Sequence, residues 1–367
     1  MSTYSDTFRE LRSPRRVTQT PRTALAPARG ARLAAGVMLP LALGVALNHP
    51  AYGMFAALGA LPSGFASVFG HGRKKPEGVA LAAVGMAVGA FVGALAANNR
   101  PLLVLFVAAF AYVAGIVGAF SDRVAVAALQ WPGALLIATS TPDGPRDAAV
   151  RAGLVLAGGF GQAALVALAL VVETKRANAS GMNSADGASG SRADNRPQSL
   201  RAQSGHVVTT VRGHLGFSTE HGQHALRLAI VAAVAQSTAL LLGLAHPYWA
   251  ALTAVTVLKT EHVLTIRRSL DRIGGTALGL LLGLPLAALA HFGTGALLLG
   301  AAASLVLAYT VFAANYFVYT MFLTGFVVVL LDLLGFPAGQ TALPRLVATL
   351  VGGVIALVAS HARPATA

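Results

Sequence analysis

Lys259, Glu261 and His262 close an apolar run that opens with His246-Pro247-Tyr248-Trp249, and they are the groups in the chain most awkwardly placed for an inert segment. The stretch from Pro247 to Leu258 makes only about 18 Å of helix at 1.5 Å per residue, too short to cross a hydrocarbon core about 30 Å thick. A helix continuing to about Ile266 is therefore expected, with the three side chains in the inner third of a bilayer. A charge deep in lipid costs about 2.5–3.5 kcal/mol on insertion scales, so these groups should face a wet vestibule or one another. Lys259 and His262, three apart on one helical face, are then candidate ligands for a carboxylate arriving from the cytoplasm. The alternative is that the helix ends early and the charges sit at the interface.

Other residues carry weaker hints. Pro50 and Pro247, without an amide hydrogen, suit the first position of a helix. Tyr248 and Trp249 are rings of the kind that anchor at headgroup level; a gate or ligand contact is the other reading. Asp332 could relay protons, pair with Arg345, or reach the outer interface. In the first part of the chain, Pro62-Ser63-Gly64-Phe65 answers to the Lys259 region and is apt to break a helix, which would expose backbone N–H groups to an anion.

Several chemistries are disfavoured. There are no cysteines, so disulfides and thiol catalysis are excluded. His206, His214, His221 and His224 fit no metal-ligand spacing and read as solvated linker histidines. No Gly-rich Lys-Ser/Thr loop for nucleotides is present. A membrane enzyme of lipid or polyprenyl metabolism needs clustered acids to hold metal and diphosphate, whereas Asp122, Glu173 and Glu261 lie in separate segments. Neither catalysis nor a cofactor is expected.

The elements that must position these residues are greasy. Hydrophobic residues make up 55% of the chain and charged ones 11%, against roughly a quarter charged in a soluble domain. An all-α, polytopic membrane protein follows, with twelve predicted spans: 31–48, 50–69, 77–97, 101–120, 123–140, 148–172, 224–244, 247–266, 272–291, 295–313, 315–334 and 343–361. With the N-terminus inside, 23 Lys and Arg fall on the cytoplasmic side and four (Arg100, Arg146, Arg151, Arg345) outside, as the positive-inside rule requires. The net charge of +14 is thus accounted for by topology rather than by a nucleic-acid partner. A multi-pass plasma (inner) membrane protein with both termini cytoplasmic is expected.

Residues 1–30, rich in Arg and Pro with no cleavable signal peptide evident, read as a disordered basic tail. Residues 31–172 form a first six-helix repeat, 173–223 a flexible polar linker, 224–361 a second repeat and 362–367 a short tail. The halves look like copies. Arg32-Leu33-Ala34 answers to Arg227-Leu228-Ala229, His49-Pro50 to His246-Pro247, Ala111-Tyr112 to Ala308-Tyr309, and Arg151 with Gly158-Gly159 to Arg345 with Gly352-Gly353. An even number of spans per half makes the repeats parallel, with a path for cargo between them. Gly274-Gly275, Gly279 and Gly283, with Gly85, Gly89 and Gly93, form stripes that allow close helix packing.

The runs HALRLAIVAAVAQSTALLLGLAHPYWAALTAVTVL (His224–Leu258) and TIRRSLDRIGGTALGLLLG (Thr265–Gly283) resemble the fusaric acid resistance-like family, which includes aromatic carboxylic acid exporters and, more remotely, malate-type anion channels. The resemblance covers the second half well and the first more weakly. It implies export or permeation of small organic anions, aromatic carboxylates foremost, in the lipid bilayer and in a homo-oligomer. It also implies an Arg-rich cytoplasmic mouth, here Arg267, Arg268 and Arg272, where organic anions would concentrate. The candidate substrate residues are accordingly Lys259, His262, Arg267, Arg268, Tyr248 and Trp249, with Asp332 for proton coupling. A passive anion channel is the alternative. Many relatives carry a large cytoplasmic domain, and only the short linker exists here.

Overall fold

A computed structural model of the chain describes residues 25–68, 74–140, 144–179 and 219–361. Every regular element among them is helical. The first half comprises α1 (Pro27–Ala46), α2 (Pro50–Ala66), α3 (Lys74–Ala96), α4 (Arg100–Gly118), α5 (Asp122–Ala128), α6 (Gln130–Ala138) and α7 (Pro145–Ala179). The second comprises α8 (Glu220–Leu241), α9 (Tyr248–Val257), α10 (His262–Ala287) with a 3₁₀ turn, α11 (Thr294–Val311), α12 (Tyr316–Leu333) and α13 (Ala338–His361). Most of the basic tail, most of the linker with His206 and His214, and the last six residues lie outside the described residues.

Nine helices among the described residues are long and apolar enough to cross a membrane. The other three predicted spans are met by shorter pieces. Helix α2 has 17 residues. The segment 123–140 is split into α5 and α6, of 7 and 9 residues; Pro132, with no N–H to give Ala128, explains why no single helix runs through. Helix α9 has 10 residues. Elsewhere the boundaries move outward: α7 runs on to Ala179, past the expected linker start, and α8 begins at Glu220, so His221 and His224 are helical rather than linker residues.

Helix pairs recur in the two halves. Helix α2 packs on α7 as α9 does on α13; α3 packs on α6 and α7 as α10 does on α12 and α13. Between halves, α1 meets α11 and α4 meets α8. Small residues make these approaches possible. A Cβ on Gly158 would strike the Ala56 carbonyl, and one on Gly352 the Ala250 carbonyl. The stripe Gly275, Gly279 and Gly283 lies against Thr320, Thr324 and Val328 of α12, and Gly85, Gly89 and Gly93 against Trp131 and Leu135 of α6. Both glycine stripes therefore have the packing role expected of them. Where the halves join, Phe65 of α2 is ringed by Tyr309, Phe312 and Tyr319 at centroid distances of 4.7, 4.4 and 5.3 Å.

Candidate anion site

Two openings lie at opposite ends of α12, whose 18 residues make about 27 Å of helix. The larger is a cavity of about 470 Å³ lined by both halves: Met54, Phe55, Leu58 and Arg151 from the first, His246, Tyr248, Trp249, Phe326 and Phe336 from the second, among others. The smaller, of about 240 Å³, is polar and lined by Arg267, Arg268, Asp271, Asn315 and Tyr316.

Each half brings one arginine over one aromatic ring. The Arg151 guanidinium stands 4.8 Å from the Phe55 centroid, and that of Arg345 stands 3.9 Å from Trp249. Both the two arginines and the two rings are 194 residues apart. The ring that answers to Trp249 is therefore Phe55, three residues on from the partner that the His-Pro alignment selects. Cation–π contacts gain strength when desolvated, and Trp249 and Arg345 are only 7% and 3% exposed. The expectation of Tyr248 and Trp249 as headgroup anchors is accordingly corrected: both are buried in the cavity wall, whereas Tyr52, stacked on His49 at 5.4 Å, and Phe336 are exposed.

The continuous helix expected through Lys259 does not form. Helix α9 stops at Val257, Leu258 turns extended (ψ 125°), and α10 begins at His262 after an extended Glu261. The Thr265 hydroxyl stabilises the break: it accepts the Lys259 amide at 3.0 Å and lies within 3.2 Å of the Lys259 carbonyl and 3.1 Å of the Glu261 carbonyl. An extended residue advances about twice as far as a helical one, so Leu258 and Glu261 lengthen the reach of this short helix. Lys259 and His262 thus do not share a helical face. His262 Nδ1 meets the Ser360 hydroxyl at 2.7 Å, and its ring packs edge-on against His361 at 4.0 Å. Glu261 is exposed. In the first half no break occurs at Pro62; α2 continues to Ala66, and the half-helix start expected there is absent.

Arg268 covers the Tyr316 ring at 4.1 Å, and Arg267 makes a loose contact of 4.0 Å to Asp271; both line the polar recess. Asp332 lies at the other end of α12, where one carboxylate oxygen accepts the Ala338 amide at 3.4 Å. It does not pair with Arg345. The six expected substrate residues are thus divided between two ends: Tyr248 and Trp249 at the cavity, Arg267 and Arg268 in the recess, with Lys259 and His262 near the recess end.

Two buried arginines lie between the openings. His262 and His361 mark a common level, and helix rise places Arg272 about 15 Å and Arg345 about 24 Å inward from it. Arg272 is 7% exposed and its Nε finds no partner; Arg345 Nη1 is likewise buried and unpartnered. The two feel one another's charge, and Tyr319 lies in the field of Arg272 and Arg268. Ser269 and Thr320 add buried hydroxyls without hydrogen bonds. No acidic side chain among the described residues pairs with either arginine. The charge count puts Arg345 outside and the family resemblance puts Arg272 at the cytoplasmic mouth, whereas both are buried. At the cavity rim, burial and the Arg345 charge hold the His246 imidazole below the ordinary histidine range.

Residues 228–359 match the family described as fusaric acid resistance protein-like. That segment belongs to this family. No curated protein and no solved structure matches the chain. The fusaric acid resistance-like match points to a membrane transport or resistance protein, and it spans most of α8 through most of α13, including the cavity's Trp249, the recess arginines and both buried arginines. Arg151 and Phe55, which complete the cavity, come from outside the matched segment.

Proposed function

We propose that the protein is a secondary exporter of small organic anions, aromatic carboxylates foremost, in the plasma (inner) membrane, with both termini cytoplasmic. One observation carries the reading: an apolar, aromatic-walled cavity with Arg151 and His246 in its lining, made jointly by the two halves. Ligand pockets of a few hundred Å³ with mostly apolar walls and few polar groups are the usual form for small-molecule sites. Flat rings would lie against Phe55, Tyr248 and Trp249, and a carboxylate would face the arginine.

In this orientation the cavity opens outward and the Arg267–Arg268 recess faces the cytoplasm, where positive charge raises the local concentration of organic anions. We further propose that the halves are parallel six-segment repeats, α5 with α6 answering to α12. The duplicated arginine–aromatic pairs, the matching α2–α7 and α9–α13 approaches, and the reciprocal α1–α11 and α4–α8 contacts support this. Alternating access between such repeats would open the cavity to each side in turn.

The test is efflux from proteoliposomes loaded with a panel of aromatic and aliphatic acids. Uphill extrusion of aromatic acids is expected, slowed about tenfold or more in Arg151→Gln, because a hydrogen bond to a charged group is worth about 1.5–3 kcal/mol. A linear current–voltage response indifferent to a pH gradient would indicate a passive anion channel instead. No movement of any acid would sink the proposal.

A further inference from the structure

We infer that Arg345 and Arg272 hold a dehydrated anion inside the second half, the carboxylate of the exported acid, at a station between the cytoplasmic recess and the outer cavity. The inference rests on the anion-export reading and names where the charged group of that substrate is bound.

Guanidinium groups never lose their charge in proteins, so two of them buried in one helix bundle cannot escape the problem by deprotonating. Arg345 is 3% and Arg272 7% exposed, each with a buried nitrogen that donates to nothing, and the Ser269 and Thr320 hydroxyls are buried and unpartnered as well. The arginines lie in one another's field. Buried charges are ordinarily paired, and here no carboxylate of the described residues does so. An anion from outside the chain would give the unpartnered guanidinium nitrogens an acceptor, while Trp249 beneath Arg345 offers its ring as a wall.

The first half shows that the fold does not need the Arg272 charge, whereas Arg345 has a counterpart there in Arg151. Gly275, Gly279 and Gly283 of α10 and Gly85, Gly89 and Gly93 of α3 occupy the same register, 190 residues apart, each stripe packed against its own partner helix. In that register Ser269, Arg272 and Thr276 answer to Val79, Ala82 and Met86, all of them 0% exposed. The same helix thus packs with an apolar face in one half and an arginine-bearing face in the other. A structural requirement for Arg272 would be expected in both.

The full chain, purified in detergent with a bulky organic sulfonate as counter-anion, is titrated with sodium benzoate and separately with sodium chloride at constant ionic strength. Tryptophan fluorescence and the thermal midpoint are followed; the chain has two tryptophans, and Trp131→Phe leaves Trp249 alone. A saturable benzoate response is expected, weakened at least tenfold in Arg345→Gln and Arg272→Gln and partly kept in Arg345→Lys. The rise of the wild-type midpoint with benzoate needs no variant and guards against misfolding. Unchanged benzoate affinity in either Gln variant, or no response in the wild type, overturns the site. A chloride response without a benzoate response overturns the carboxylate assignment. Export of benzoate that persists undiminished in Arg345→Gln removes this station and leaves the export reading standing. Binding lost in the variants, with no export of any acid by the wild type, supports the site and removes that reading.

Discussion

Trp249 serves two environments at once, its ring forming cavity wall while Arg345 rests on it. The Arg345 charge reaches His246 as well, adding to burial in disfavouring the imidazolium. Arg345→Gln is therefore expected to raise the His246 pKa toward its ordinary value of about 6.5, read by NMR titration of the imidazole in detergent. The sign for stability follows from linkage. A histidine held low in the folded state contributes stability above its unfolded pKa and loses it as the pH falls through the folded pKa. Acidification below about 6.5 should thus lower the thermal midpoint of the wild type more than that of His246→Gln. The buried arginines were partly legible beforehand. Thr265, Ser269, Arg272, Thr276 and Gly279 recur at spacings of three and four, as do Thr341, Arg345, Thr349 and Gly352, and such stripes mark the inward face of a helix. Counting charge by loop hides this. Arg345 scores as an outside charge, although its helix begins seven residues earlier and draws it inward.

At the scale of elements, composition and length revealed the greasy segments but not where a segment would break. The reason is local chemistry over a few residues. At 258–261 the break rests on one hydroxyl, since Thr265 takes the Lys259 amide and approaches two carbonyls. Thr265→Val, which keeps the shape and removes the hydroxyl, should destabilise the protein by about 1–3 kcal/mol, the cost of leaving a buried polar group unsatisfied, seen as a lower thermal midpoint. Thr265→Ser should retain most of the stability. The glycine stripes had the opposite fate: their role was readable because spacing by four is all that close packing needs. On α10 a Cβ at Gly279 would stand 2.5 Å from the Met321 carbonyl oxygen and the Thr324 Cβ. The first of these is backbone and cannot turn aside. Gly279→Val should therefore cost about 1–3 kcal/mol or more, whereas a substitution at Gly295, with nothing near its missing Cβ, should be tolerated.

For the whole molecule, the proposed pairing of halves has no uniform register. His-Pro dipeptides suggest one offset; the arginine–aromatic pairs and the α3 and α10 stripes settle at 194 and 190. Small shifts at the turns absorb the differences, because helices keep their packing register while loops change length freely. The proposed orientation in the membrane rests on the charge count alone, and the absence of cysteine makes it directly measurable. Ser140 is exposed and lines the cavity; Ala313 is exposed and lines the recess at the other end. In intact cells a membrane-impermeant thiol reagent added outside should modify Ser140→Cys and spare Ala313→Cys, and in inside-out vesicles the pattern should reverse. Bound aromatic acid should slow modification of Ser140→Cys, because ring and reagent would compete for the same apolar space. Labelling of Ala313→Cys from outside would invert the topology, and with it the direction in which the cavity and the recess are read.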